Sequence, residues 1–173
     1  MASRFATVSA HYLRETYLPR IETALETLPA DRLWWRPHED TTSVGNLLLH
    51  LEGNVRQWIL SGLGGAPDGR ERAAEFAARE GDDAGRLLAA LRATLEAAAT
   101  TIEALDDADL ERGHRIQGFE VNGLEAVYHV VEHVSWHAGQ ITWMAKLHAG
   151  EGHGLAFYDE DAVNRARNPD PTA

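Results

Sequence analysis

The sequence predicts an all-α fold: a four-helix bundle with a long connection between helices two and three and an irregular C-terminal arm. Three observations predict it. Four stretches carry apolar residues at mostly three- and four-residue intervals, the spacing of one face of an α-helix. Segments rich in glycine, proline and charge separate them, and no self-similarity at a solenoid period is present. At 173 residues the chain can bury a full core as one domain, expected to span residues 1–168, with 169–173 as a flexible tail.

The first helix is expected from Ser3 to Leu28, with Phe5, Val8, Tyr12, Ile21, Leu25 and Leu28 on one side. Pro19 lacks an amide hydrogen, so a kink near Leu18 or two helices end to end are expected there. Asp31 to Asp40 reads as a linker laying Trp34 and Trp35 on the domain. Thr41, Thr42 and Ser43 offer caps for a second helix reaching about Leu60. Its main apolar face holds Val44, Leu48, Leu51, Val55 and Ile59, and a neighbouring stripe holds Leu47, His50, Asn54 and Trp58. Asp68 to Gly81 is dense in charge and reads as a solvated loop with one short helical turn. Asp82 or Asp83 caps a third helix from Ala84 to Leu105, with Leu87, Leu88, Leu91, Leu95 and Ile102 at helical spacing. Asp106 to Gly123 has no helical pattern, and His114 to Val121 reads as an extended segment or hairpin. The fourth helix follows Asn122 or Gly123 and runs to about His148. From Gly150 onward the chain reads as a docked arm that becomes a tail at Pro169 and Pro171.

Composition removes several functions. Without cysteine there can be no disulfide, zinc ribbon or cysteine nucleophile, and metal chemistry falls to histidine and carboxylate ligands. A formal net charge of -11, with no cluster of Lys, Arg and aromatics, argues against nucleic acid as a direct partner. No run approaches the roughly 20 apolar residues of a membrane span. The N-terminal residues do not read as a secretory signal, so the expected compartment is the cytoplasm.

The fourth helix holds four of the nine histidines. His129, His133 and His137 recur every four residues and form a slowly turning column beside Val130, Ile141 and Met144. His133 and His137 are one turn apart and can reach one ion, whereas His129 and His137 are separated by roughly 12 Å of helical rise. A third ligand would come from another helix, where His50 lies beside an apolar face. Two readings stay open on these residues: core histidines satisfied by hydrogen bonds, or ligands of a metal with Gln140 and Glu132 as candidate acceptors for the outward ring N–H groups.

The motif L-L-L-H-L-E-G-N around His50, together with H-V-S-W-H-A-G-Q-I from His133 to Ile141, resembles the DinB/YfiT-like superfamily of bacterial four-helix proteins. The stretch from Asn46 to Gly65, followed by D-G-R-E-R-A-A-E-F, is similar to an uncharacterised subgroup of it, and the match extends from Ser43 to Lys146. The resemblance implies a bundle holding a divalent metal at His50, His133 and His137, and a homodimer. It implies a thiol-dependent transferase or a hydrolase acting on a small-molecule substrate, with a low-molecular-weight thiol as cosubstrate. His129 falls outside that triad and reads as a core or pocket residue.

Three neutral imidazoles leave a divalent ion its full charge and an open position, the pattern of a catalytic rather than a closed structural site. Zinc, nickel and iron all suit histidine ligands. Trp58, Trp136 and Trp143 are candidates for a pocket wall, with core or dimer interface as the plainer alternative. A non-catalytic metal-stabilised dimer or sensor is the competing function.

Overall fold

The computed structural model describes residues 3–167. They form a mostly helical molecule with one two-stranded hairpin. The expected tail at residues 169–173 lies outside the described residues.

The first helical stretch does not break at Pro19. It comprises α1 (Arg4–His11), a π-helical stretch Tyr12–Tyr17 and α2 (Leu18–Thr27). Ser3 caps it by accepting from the Phe5 amide. The Leu18 amide bonds to the Leu13 carbonyl five residues back, and Pro19 then sits in the first turn of α2, where a missing donor costs least. The wide turn thus takes up what the proline would otherwise disrupt.

α3 (Val44–Val55) continues into a second π-helical stretch, Arg56–Ser61. It begins in a capping box: Ser43 Oγ accepts from the Asn46 amide, and Asn46 Oδ1 accepts from the Ser43 amide. The loop before it lays Trp34 flat on Gly45, where a Cβ would lie 2.8 Å from the indole. After α3 comes a short helix, α4 (Arg72–Ala77), and then α5 (Ala84–Glu103), capped by Asp83. A further short helix, α6 (Asp107–Glu111), occupies a stretch where no helical pattern was expected, because Asp106 and Asp109 cap it reciprocally.

Strands β1 (Gly113–Ile116) and β2 (Phe119–Asn122) form the expected hairpin, antiparallel with Ile116 opposite Phe119. Its two-residue turn holds Gln117 at φ 53° and Gly118 at φ 88°, the left-handed conformation that tight hairpins require. α7 (Gly123–Ala149) starts at an Asn122–Glu125 capping box and ends at Gly150, φ 78°.

α3 packs on α5 and α7, and the first helical stretch packs on the same two helices, so four long helical stretches share one core. Leu13, Ile21, Leu51, Leu91, Leu95, Val130 and Ile141 are all fully buried in it. The C-terminal arm docks through Leu155, which is buried, and Phe157, then forms α8 (Glu160–Arg167). Phe157 shares a small cavity with Arg20, Ser135 and Gly139, while no residue of the arm lines the cavity beside the histidines described below. Among the described residues no helix is long and apolar enough to cross a membrane.

Candidate metal centre

α3 and its π-helical continuation carry His50, Asn54 and Trp58 along one side, and α7 carries His129, His133 and His137 along the facing side. The packing of these two helices brings the separate stripes together. His50 is buried, at 5% exposure, and its Nε2 lies 2.9 Å from Nε2 of His133. The rings of His133 and His137 are 4.5 Å apart between centroids, and those of His50 and His137 5.2 Å. One ring nitrogen from each of His50, His133 and His137 falls within a 4.8 Å cluster that could hold a metal ion.

The outward nitrogens decide whether such a cluster suits a cation. His137 Nδ1 lies 2.6 Å from Gln140 Oε1, which can only accept, so the proton is on Nδ1 and Nε2 is bare. On His50, Nδ1 lies 3.0 Å from Glu75 Oε2. A carboxylate facing a bare ring nitrogen at that distance would be repelled, so Nδ1 carries the proton and Nε2 again is bare. The His133 Nε2 is the nearest partner of that lone pair. In the protein alone, one N–H donated from His133 to His50 satisfies the contact; a divalent ion can take the place of that proton. The donor set therefore fits a metal: His50 and His137 turn bare nitrogens inward with their protons tied outward, and His133 turns in the nitrogen whose proton an ion would displace.

Electrostatics favour neutral rings at His133 and His137. Burial, reinforced by the neighbouring charge that His137 and His50 would carry, pushes His133 down to about 3. Burial also lowers His137, partly opposed by its bond to Gln140, and lowers His129. Burial works to raise Glu75, but hydrogen bonds from Arg70 and His50 outweigh it and hold the carboxyl below its ordinary value. Arg70 grips Glu75 with both Nε, at 2.7 Å, and a terminal nitrogen, at 2.9 Å, and donates its other nitrogen to Gln57 Oε1.

Here the solvated-loop reading of Asp68 to Gly81 is corrected. Arg70 and Glu75 are buried against His50, and Phe76 stacks on the same imidazole at 4.6 Å. Of the two acceptors expected for the outward N–H groups, Gln140 serves His137 while Glu132 is exposed and bonds to none of the three histidines. The sequence signal for Glu75 was faint: it is one of seven charged residues from Asp68 to Glu80.

His129 stays apart from the triad. Its ring lies 4.0 Å from Trp58 at 34°, and its Nε2 is 3.4 Å from the Asn54 amide. With His50, His133, Trp58 and the hairpin residues Gln117 and Phe119 it lines a cavity of about 380 Å³, within the size range of small-molecule pockets. The Trp58 indole N–H donates to Gln117 Oε1, which fastens the hairpin over this cavity. Trp136 and Trp143, considered above for the pocket wall, point to solvent at 63% and 64% exposure. His148 is half-buried with its ring edge-on to Trp35.

A family model described as a protein of unknown function (DUF1572) matches residues 2–155. The chain belongs to the DUF1572 family. The matched span takes in every residue of the DUF1572 centre described above, from His50 through Glu75 and the hairpin to His137, and it ends at the docked Leu155. No curated protein matches the chain.

Proposed function

We propose that this DUF1572 protein is a metal-dependent enzyme of the DinB/YfiT-like kind, a single four-helix-bundle domain over residues 1–168. In this reading His50, His133 and His137 hold a divalent ion, and the 380 Å³ cavity takes a small-molecule substrate. The observation that carries it is the convergence of three imidazoles, with the outward protons of His50 and His137 tied off, beside a pocket lined by His50, His133, Trp58, Phe119 and His129. A divalent ion in such a set supplies Lewis acidity, stabilising the deprotonated form of a water or thiol. The reaction is then thiol-dependent transfer or hydrolysis, and because the chain has no cysteine, a thiol would come from a low-molecular-weight cosubstrate. The chain's own part is to keep His133 and His137 neutral by burial, to wall the cavity with aromatic rings and to present His129 beside it.

The first test is elemental analysis of protein purified without a histidine tag, where about one equivalent of zinc, nickel or iron per chain is expected. His137→Ala should abolish stoichiometric metal and remove the thermal stabilisation that added zinc gives the wild type, about 2.7 kcal/mol at a hundredfold excess over Kd. Wild-type protein free of metal would refute the proposal. A second reading, a non-catalytic metal-stabilised homodimer or sensor, draws on the exposed Tyr128, Trp136 and Trp143 along α7. It gains if the metal is present but a broad screen for thiol transfer and hydrolysis is blank. The cytoplasm is the compartment we propose, with neither nucleic acid nor membrane as a direct partner.

A further inference from the structure

α4 is a six-residue helix whose Arg72, Ala73, Ala74 and Ala77 side chains face solvent. Only Glu75 and Phe76 turn inward, and both meet the His50 ring. The rest of the protein takes trouble to keep this short helix in place. Asn46 donates its side-chain amide to the carbonyls of Glu75 and Ala78, and Arg36 donates to those of Phe76 and Ala78. Gly53 leaves bare backbone where a Cβ would collide with Glu75 Oε1. A buried carboxylate is costly unless fully bonded, and this one is: Arg70 takes Oε1 and Oε2, and His50 Nδ1 takes Oε2.

From this arrangement, and resting on the metal reading above, we propose that Glu75 is a positioning residue for the ion: fixed by Arg70, it holds His50 as the Nδ1–H tautomer and makes its Nε2 the strongest donor of the three. The asymmetry supports this. His137 gives its Nδ1 proton to the neutral amide of Gln140 on an exposed turn, whereas His50 gives its own to a buried anion. An anionic acceptor pulls the N–H proton toward itself, raising electron density on the opposite nitrogen and strengthening its bond to a cation. Arg70 also approaches His50 Nδ1, at 3.1 Å, but its Nε and the same terminal nitrogen already grip the carboxylate. That proximity follows from all three groups sharing Oε2.

The test compares wild type with Glu75→Gln, which keeps the shape and an acceptor but removes the charge. Zinc affinity is measured in competition with a chromogenic chelator, and cobalt(II) is substituted to read the ligand field in the visible spectrum. Glu75→Gln is expected to weaken zinc binding about 10- to 100-fold and to shift the cobalt band, which a residue that only stabilises the fold would leave in place. Independently, long-range proton–nitrogen NMR of the metal-free wild type should find the His50 proton on Nδ1, a measurement that needs no variant to fold. A His50 proton on Nε2 overturns the inference, as does a Glu75→Gln protein whose zinc affinity stays within about threefold of wild type with an unshifted cobalt band. Wild-type protein that binds no zinc overturns the metal reading itself, and so is distinguishable from failure of this inference alone.

Discussion

At the scale of single residues, the histidines link stability to pH. His133 titrates near 6.5 in the unfolded chain and is pushed down to about 3 when folded, and His129 and His137 move in the same direction. Between those values the unfolded state binds more protons than the folded one. The contribution is therefore fully present above pH 6.5 and is lost as pH falls toward 3. Glu75, held below its ordinary value, adds to the same acid weakening at lower pH. In chelator-treated protein the melting temperature should drop steadily below pH 6.5, and His133→Asn should flatten that drop. A melting temperature unchanged between neutral pH and about 4 would contradict the buried neutral imidazoles.

At the scale of elements, α3 and α4 meet at Gly53. Placing Ala there would add helix propensity worth up to about 1 kcal/mol, yet the new methyl would strike the Glu75 carboxylate. Overpacking of this kind costs about 1–3 kcal/mol, and here the displaced atom is a bonded buried anion rather than a free side-chain end. Gly53→Ala should accordingly lower the melting temperature despite its better propensity; a rise in thermal or denaturant stability would show that α4 docks loosely. This contact also marks where sequence reading ran out. Periodicity delivered α3, α5 and α7 within a few residues, and with them His50, His133 and His137, because burial on these helices is written in their own apolar spacing. The stripe of His50, Asn54 and Trp58 became a pocket wall for the same reason. Glu75 and Arg70 were invisible because their burial depends on partners 20 or more residues away, and the surrounding composition is that of a solvated loop. Continuity through Pro19 was hidden likewise, since a π-helical turn has no side-chain signature.

At the scale of the whole molecule, one side of α7 feeds the centre while another leaves Tyr128, Trp136, Trp143 and Leu147 more than half exposed. If the proposed homodimer uses this face, sedimentation should find a dimer in the wild type and a monomer in a Trp136→Ser, Trp143→Ser double variant, with metal content per chain unchanged. A double variant that remains dimeric would place the interface elsewhere. The wide turn at Arg56–Ser61 bears on the molecule as a whole as well. A π-helical turn spaces its bonds five residues apart instead of four, so it accommodates one more residue than an α-helix in the same place. Deleting a single residue there should close the stretch into a regular α-helix, leaving His50 and Asn54 where they are and keeping the residues after the turn in register. Gly62, which makes room for Ile116, would still face the hairpin. The wide turn is thus the place in this helix where loss of one residue is absorbed, and length variation among relatives should fall there or in the loops on either side.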